Sequence, residues 1–363
     1  MLERLERAAA RPWGLIRAFI KLYQHDRRAT FPIPLKTRLA MWRRGFVREC
    51  HLVYGFDHNP VEHYLPEYHR LVRASRINRK PEVLHHKLLF EAFFKALLPI
   101  PKTLAWISGG VITPLVPDPW ICSPEALLEA CRALGRLAVK PFGESGGRGF
   151  RVLAWEDGRF LLDRAPLDRA GLGNLVSQAR DIMVTEFAWQ GEYAARVYPH
   201  STNSMRVLTM RDPFQNRRAF VAIAVHRFGS SRSAPADSFQ KGGFACEVDL
   251  ATGVLGKATT YPREGRVEWF SRHPETGEQI EGLRVPGWEN LVQRLLAATE
   301  AYDFLDYVAW DVVAREDGFL VLEGNNHSGM VFLQMHRGLL ADERVRAFFE
   351  YHRVIRPRRR RLA

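Results

Sequence analysis

The stretch AVKPFGESGGRGFRV, residues 138–152, concentrates four glycines between positions 143 and 149. A short apolar segment lies on each side of the glycines, so the stretch predicts two strands joined by a turn. Glycine at this density weakens a strand, because it loses the most backbone entropy on folding. A glycine-rich turn can direct several backbone N–H groups at an anion, and Lys140 adds a positive charge just upstream. The stretch therefore predicts a phosphate-binding loop, with a plain flexible turn as the alternative.

The loop lacks two familiar nucleotide-binding signatures. It contains no GxxxxGK[ST] sequence, and it is not a GxGxxG sequence that follows a strand and opens a helix. A phosphate-binding role therefore depends on whether other segments of the chain supply the rest of a nucleotide site.

The segment WDVVAREDGFLVLEGNN, residues 310–326, predicts a hairpin that turns at residues 316–318. Asp311 lies on the first strand, and Glu323 and Asn325, two positions apart, share one face of the second strand. Their carboxylate and amide oxygens are hard ligands of the kind that magnesium prefers. Both carboxylates follow apolar segments, where an unpaired charge is costly. The segment predicts a magnesium site, with a solvated hairpin face as the alternative.

A third segment, VTEFAWQGEYAARV at residues 184–197, carries Glu186 and Glu192 on either side of a short connection. A connection between two domains can hydrogen-bond an adenine through its backbone while a carboxylate binds ribose hydroxyls. The alternative is a pair of surface glutamates at a loop.

Taken in chain order, the three segments resemble the ATP-grasp superfamily over roughly residues 80–340, and most closely its sugar-transfer-associated group, which is related to α-L-glutamate ligases. Each motif alone is weak, and their order and spacing carry the resemblance. Further stretches typical of the group are NRKP near residue 78, TNSMRVLT at 202–209, KGGFACEVDLATG at 241–253, HPETGEQIEGLRVPGWENL at 273–291 and EGNNHSG at 323–329. His327 and Ser328 stand where the superfamily often has proline, a departure that concerns the substrate side of the site.

The resemblance implies an α+β ATP-grasp fold in which two α+β subdomains clasp ATP. The implied divisions are a basic helical region at 1–80, linker helices with the small subdomain and its glycine loop at 81–188, the large subdomain with the metal site at 189–350, and a basic tail at 351–363.

The resemblance also implies which residues bind the nucleotide. Lys140 would hold the α and β phosphates, and Lys87 would be the second phosphate-binding lysine. The loop residues implied to contact ATP are Gly143, Ser145, Gly146, Gly147 and Gly149. Glu186 and Phe187 would form the adenine hinge, and Glu192 would bind the ribose.

On the substrate side, Asp311, Glu323 and Asn325 would bind two magnesium ions. Arg206 would lie near the γ phosphate or an acyl phosphate, and Lys241, with the two glycines that follow it, would belong to a loop that covers the substrate. Arg206 and Lys241 are therefore the implied catalytic residues.

In the superfamily, a substrate carboxylate attacks ATP to form an acyl phosphate, and an amine then displaces the phosphate. The resemblance thus implies a ligase that acts on small carboxylate and amine substrates, in the context of cell-surface glycan or peptide–sugar assembly. Alternatives that the motifs leave open are an ATP-grasp kinase that phosphorylates a hydroxyl and a non-catalytic nucleotide-binding module.

Composition limits the partners and the compartment. The net charge of +13 favours anionic partners, but the arginines are spread along the chain and no RRM, KH or zinc-finger pattern is present, so we expect no nucleic acid partner. The four cysteines form no CxxC pair and fit a reducing compartment. Without an apolar run of about 18 residues, the chain is expected to be cytoplasmic.

Two terminal segments bear on membrane association. Apolar residues at helical spacing over residues 13–23 are surrounded by arginines and lysines, and RPRRRR lies at 356–361. Peripheral binding to an anionic membrane surface is one interpretation. Packing of the helix onto the protein body and a solvated, disordered tail are the alternatives.

Overall fold

The structure, a computed structural model, describes residues 32–142, 149–262, 265–326 and 328–358, together with Ile20, Tyr23, Gln24 and Asp26. The predicted loop contacts Gly143, Ser145, Gly146 and Gly147 lie outside the described residues, as do most of the apolar residues predicted over 13–23. The end of the predicted basic tail, from residue 359 onward, also lies outside them.

Helices occur at the two ends of the described chain and between the strands. Their bounds are α1 Leu35–Arg43, α2 Cys50–Val53, α3 Glu67–Val72, α4 Glu82–His85, α5 Lys87–Phe94, α6 Pro124–Leu134, α7 Arg169–Ser177, α8 Glu192–Val197, α9 Trp288–Glu300 and α10 Glu343–Tyr351. Short 3-10 helices cover Val61–His63, Ala74–Arg76, Phe239–Lys241 and Leu339–Ala341.

The strands form two seven-stranded antiparallel sheets. The first has the order β2-β1-β7-β3-β4-β5-β6 and contains β1 Thr103–Ser108, β2 Val111–Pro114, β3 Arg136–Pro141, β4 Arg151–Glu156, β5 Arg159–Leu162, β6 Ala165–Pro166 and β7 Ile182–Glu186. The second has the order β12-β11-β10-β9-β8-β13-β14 and contains β8 Met205–Arg211, β9 Ala219–Phe228, β10 Phe244–Val248, β11 Leu255–Thr260, β12 Trp269–Phe270, β13 Tyr307–Arg315 and β14 Gly318–Asn325. The mixture of helices and antiparallel sheets confirms the predicted α+β class.

Local sequence signals explain several elements. The Ser123 hydroxyl caps α6 by accepting a hydrogen bond from the Ala126 N–H at 3.1 Å, and Gly135 ends the helix with a positive φ of 77°. The two predicted hairpins are confirmed: β3 pairs with β4, and β13 pairs with β14. The apolar spacing over residues 85–98 predicts a single amphipathic helix, but the helix is shorter because His86 has an extended backbone that separates α4 from α5.

Three hydrophobic cores hold the layers together. The first sheet packs against α6 and α7 through residues such as Leu127 and Leu172. One face of the second sheet packs against α5 and α9. Its other face packs against the N-terminal helices and α10, where Phe46, Tyr54 and Phe348 are fully buried. The N-terminal helical region is thus part of the main body and covers one face of the second sheet.

The polar composition of residues 231–243 predicts a mobile loop, but in the structure this segment is packed. Ser233, Asp237 and Phe239 are buried, and the Asp237 carboxylate accepts a hydrogen bond from the Ser204 N–H at 2.8 Å. The prediction missed this because these partners are distant in the sequence. Among the helices of the described ranges, none has the length and apolar composition to cross a lipid bilayer.

Candidate functional site

A cavity of about 380 Å³ opens between the two sheets. Its walls come from β3, from the segment after β7, from the second sheet and from the N-terminal helices. Six of the residues predicted from the sequence line it: Lys87, Lys140, Phe187, Arg206, Asp311 and Glu323. The structure therefore brings together residues that are more than 200 positions apart in the chain.

Two lysines lie close together in one part of the cavity. Lys87 begins α5 and donates a hydrogen bond from Nζ to the Pro141 carbonyl at 2.9 Å, next to Lys140 near the end of β3. Burial, and then the charge of Lys87, lower the pKa of Lys140 to about 8. Burial also lowers the pKa of Lys87. Two neighbouring ammonium groups in a partly dry cleft favour a ligand with several negative charges.

Arg206 holds Asp311 through two parallel hydrogen bonds. The two residues lie opposite each other on β8 and β13, and Nε and Nη2 of Arg206 each donate to a different Asp311 oxygen at 2.5 Å. Arg227 approaches the same carboxylate at 3.5 Å. Burial alone would raise the pKa of Asp311, but the two arginines outweigh it and the pKa lies below its usual value. Asp311 is therefore ionised and fixed in direction.

Glu323 faces Asp311 across the hairpin. The two are register partners on β13 and β14, and the Asn325 side-chain amide donates to Glu323 Oε1 at 3.3 Å. Burial, followed by the negative charge of Asp311, raises the pKa of Glu323. A divalent cation between the two carboxylates would relieve this repulsion.

The side-chain oxygen atoms of Asp311, Glu323 and Asn325 are ligands of the kind that magnesium prefers. Arg206 occupies one lone pair on each Asp311 oxygen, which leaves further acceptor capacity on both. Glu323 adds carboxylate oxygens, and Asn325 adds an amide oxygen. Within the described ranges, no group of three or more His, Cys, Asp and Glu side chains is arranged to hold a metal ion. Two carboxylates and one amide leave most of an octahedron to water and phosphate oxygens, and the predicted binding of two ions stays a prediction.

The two residues predicted to form the adenine hinge, Glu186 and Phe187, are placed differently relative to the cavity. Phe187 lines the cavity. Glu186 pairs with Leu137, which is fully buried, and its carboxylate accepts a hydrogen bond from the Lys102 N–H at 3.1 Å. Register partners share a face, so the Glu186 side chain points away from the Lys140 side. Only its backbone is in a position to contribute to a hinge.

Four other predicted residues do not line the cavity, and the metal-ligand candidate Asn325 is one of them. Glu192 is exposed at the start of α8, where its N–H donates to the Glu316 carboxylate at 2.9 Å. Lys241 is exposed at the end of a 3-10 helix whose preceding residues do line the cavity. Gly149 has a φ of 67°, and a Cβ there would lie 2.6 Å from Pro141 Cγ, so it is required by the close approach of β3 and β4. The predicted ligand roles of these residues stay predictions.

A second arginine and its partners belong to the site, although no motif in the sequence predicts them. Arg227 lies at the end of β9 and forms an ion pair with Asp237 at 3.4 Å. The Asp237 carboxylate also accepts a hydrogen bond from the Ser204 hydroxyl at 2.6 Å. An arginine inside the otherwise apolar stretch AFVAIAVHRF was the available signal. Arg227 and Arg206 both lie over the Phe332 ring, at 5.7 and 5.3 Å from its centre.

The N-terminal helices also supply cavity residues that the motifs did not indicate. Val47, Glu49, Glu67 and Arg70 line this part of the wall. No periodicity or spacing in the sequence distinguishes them from structural residues.

Comparison with known proteins gives two kinds of result. No curated protein matches the chain. Among solved structures, the chain is similar to the ATP-grasp ligase PsnB complexed with minimal precursor, with 16% identity, coverage of 74% of this chain and 61% of that one, and a TM-score of 0.38. It is similar to D-alanyl-alanine synthetase A from Vibrio cholerae O1 biovar eltor str. N16961, with 11% identity, coverage of 73% and 65%, and a TM-score of 0.40. It is also similar to D-cycloserine synthetase DcsG, with 14% identity, coverage of 76% of this chain and 73% of that one, and a TM-score of 0.40.

The chain spans less than two thirds of the length of the first two of these proteins. A family model also matches this chain. The model of the family described as sugar-transfer associated ATP-grasp matches residues 67–348, which is most of the chain. The chain therefore belongs to the sugar-transfer associated ATP-grasp family and has the α+β ATP-grasp fold that its sequence predicts.

Proposed function

We propose that the protein is an ATP- and magnesium-dependent ligase that activates a substrate carboxylate as an acyl phosphate and joins it to an amine. The observation that carries the proposal is the meeting of Lys87, Lys140, Arg206, Asp311 and Glu323 around one cavity. The family's description as sugar-transfer associated supports a substrate from glycan or peptide–sugar assembly.

The chemistry requires control of negative charge. A carboxylate oxygen forms a bond to the γ phosphorus while the bond from phosphorus to the β–γ bridging oxygen breaks, and ADP leaves. An amine nitrogen then bonds to the acyl carbon, the bond to the phosphate oxygen breaks, and the amine loses a proton. Because carboxylate and triphosphate repel each other, positive groups fixed in advance lower the barrier.

The chain's residues divide this work. Lys140 and Lys87 bind phosphate oxygens. Arg206, oriented by its two hydrogen bonds to Asp311 and a third at 2.8 Å to the Ser328 hydroxyl, directs its charge at the transferring phosphoryl group or the acyl phosphate. Asp311, Glu323 and Asn325 would hold magnesium, which supplies charge neutralisation on the phosphates when bound. The cavity walls limit access of water to the acyl phosphate.

The test is ATP-dependent phosphate release across a panel of amino acids and sugar acids, comparing wild type with Lys140→Ala. Loss of one positioned charge is expected to reduce the rate about a hundredfold. Lys95→Ala is the matched control, because Lys95 is exposed directly after the last turn of the same helix as Lys87. An unchanged rate in Lys140→Ala would refute the assignment. Product analysis separates an amide from a phosphomonoester, which would indicate a kinase.

A further inference from the structure

The N-terminal helical region forms one wall of the candidate active site. Val47 and Glu49 lie just before α2, and Glu67 and Arg70 lie on α3. The first two precede the family match, which begins at residue 67. The wall is held in place by the core, since Val47 is buried in the same cluster as Met330 and Val331. Val47 and Glu49 thus lie outside the part of the chain that the family model matches.

The carboxylates in and near this wall differ in the hydrogen bonds and ion pairs that they form. The Glu67 carboxylate accepts from Arg70 Nε at 2.5 Å and from the Met330 N–H at 3.1 Å. Asp26 accepts from the Arg48 N–H at 2.7 Å and pairs with Arg38 at 3.2 Å. Both carboxylates therefore have counter-charges or donors in the protein.

Glu49 differs from both, because in the part of the chain that the structure describes it forms no ion pair with an arginine or lysine within 4.0 Å. Glu49 lines the cavity and is only 6% exposed, and its Oε2 is buried with no hydrogen-bond partner in the part of the chain that the structure describes. The Tyr261 side chain acts on the same carboxyl group and lowers its pKa. A buried carboxylate oxygen without a partner is costly, and such a cost is commonly met by a ligand at a functional site.

The electrostatic field at Glu49 favours a cation. Burial raises the pKa of Glu49 to about 7, and the charges of Glu67 and Asp26 act on it more strongly than the opposing charge of Arg48. At neutral pH the carboxyl is therefore partly ionised, with negative neighbours that a positive ligand would offset.

An aromatic series connects Glu49 with the catalytic groups. The ring of Tyr261 lies 5.9 Å from that of Phe239, and Phe239 lies 6.3 Å from Phe332, centre to centre. Phe332 in turn lies under the Arg206 guanidinium. Phe239 and Phe332 both line the cavity, so it offers apolar surface beside its charged groups.

We infer that Glu49 binds a positively charged amino group of the substrate, and that Phe239 and Phe332 contact an apolar spacer between that group and the carboxylate at Arg206. The substrate class is a carboxylic acid with a remote amino group. The carboxylate end of this inference rests on the proposed ligase function, whereas the amino end rests on the surroundings of Glu49 alone.

The test is calorimetric binding, without ATP, of 4-aminobutanoate, 6-aminohexanoate and 8-aminooctanoate, each compared with butanoate, hexanoate and octanoate. At least one amino acid should bind wild type about 10–100-fold more tightly than its unsubstituted acid. Glu49→Gln keeps the size of the side chain and should abolish that preference. Glu82→Gln, at an exposed residue that begins α4, should retain it.

A second variant keeps the inference testable if Glu49→Gln does not fold. Glu49→Asp withdraws the carboxyl group by one methylene and should move the preference toward a longer amino acid. The inference is overturned if wild type prefers no amino acid over its acid, or if Glu49→Gln keeps the wild-type preference.

The two proposals fail differently. A Glu49-dependent preference without any ATP-dependent phosphate release would retain the amino-group site and reject the ligase. Phosphate release that requires Lys140, together with a preference that is the same in Glu49→Gln, would retain the ligase and reject the amino-group site.

Discussion

Replacing Glu49 with glutamine should change how the stability of the protein depends on pH. Burial raises the pKa of the Glu49 carboxyl from 4.5 to about 7 in the folded protein, and the groups that face it are Tyr261, Glu67, Asp26 and Arg48. The folded state therefore binds the proton more tightly than the unfolded state. The stabilising contribution is fully present below pH 4.5 and is lost as the pH rises to about 7.

The structure sets the size of the effect. One pKa unit corresponds to about 1.4 kcal/mol, so the rise to about 7 corresponds to about 3 kcal/mol between pH 4.5 and pH 8. Glutamine is neutral at pH 4.5 and at pH 8, so it adds no pH-dependent contribution to the free energy of unfolding. The free energy of unfolding of Glu49→Gln, relative to wild type, should therefore be higher by about 3 kcal/mol at pH 8 than at pH 4.5.

The assay is urea unfolding of both proteins at intervals between pH 4.5 and pH 8, followed by circular dichroism. Ionisable groups distant from Glu49 contribute equally to both proteins and cancel in the difference. Glu82→Gln, where the carboxyl is exposed, should show a nearly constant difference from wild type. A difference for Glu49→Gln that stays within about 0.5 kcal/mol across the range would refute the reasoning.

Other changes test the remaining groups. Because burial and Lys87 lower the pKa of Lys140 to about 8, the ATP affinity of wild type should fall as the pH rises from 7 to 9, while Lys140→Arg should remain nearly constant in calorimetry. Glu323→Gln should lose magnesium-dependent nucleotide binding, and calorimetry with ATP and Mg²⁺ that gives wild-type affinity would contradict the metal site. Gly243→Ala should destabilise the protein by about 1–3 kcal/mol, because its Cβ would lie 2.9 Å from the Phe228 carbonyl oxygen. Gly173→Ala, at an open helical position, should instead stabilise it by about 0.5–1 kcal/mol, and urea unfolding compares the two.

Features with local causes were predictable from the sequence. The Ser123 cap, the following proline and Gly135 define α6 without reference to the rest of the protein. The hairpins β3–β4 and β13–β14 follow from strand alternation and turn residues. The facing of Asp311 and Glu323 follows from the hairpin register.

Features set by long-range packing were not predictable in this way. Arg227 forms part of the site only because β9 pairs with β8, which brings it to Ser204 and Asp237. Glu49 reaches the cavity only because the N-terminal helices cover the second sheet. Their attachment depends on contacts such as the hydrogen bond from the Leu65 N–H to the Gln334 side chain at 2.8 Å, which joins residues 269 positions apart.

The charge of the whole chain is a poor guide to the charge of the site. The chain carries a net charge of +13, but the cavity lining contains five acidic and five basic side chains, which balance formally. The excess of arginine and lysine is therefore distributed over other parts of the molecule. Even so, the basic groups of the site are not equivalent to one another.

The arginines of the cavity are bound to carboxylates, whereas its lysines are not. Arg70, Arg206 and Arg227 all pair with Glu67, Asp311 or Asp237 within 3.5 Å, which fixes their directions before a ligand arrives. In the part of the chain that the structure describes, no ion pair to a carboxylate within 4.0 Å involves Lys87 or Lys140. The lysines are therefore the groups whose charge is available to a polyphosphate, and the arginines supply direction more than charge. A triphosphate together with a substrate carboxylate would exceed the charge of two lysines, so under the proposed function we expect ATP to bind with divalent cations rather than alone.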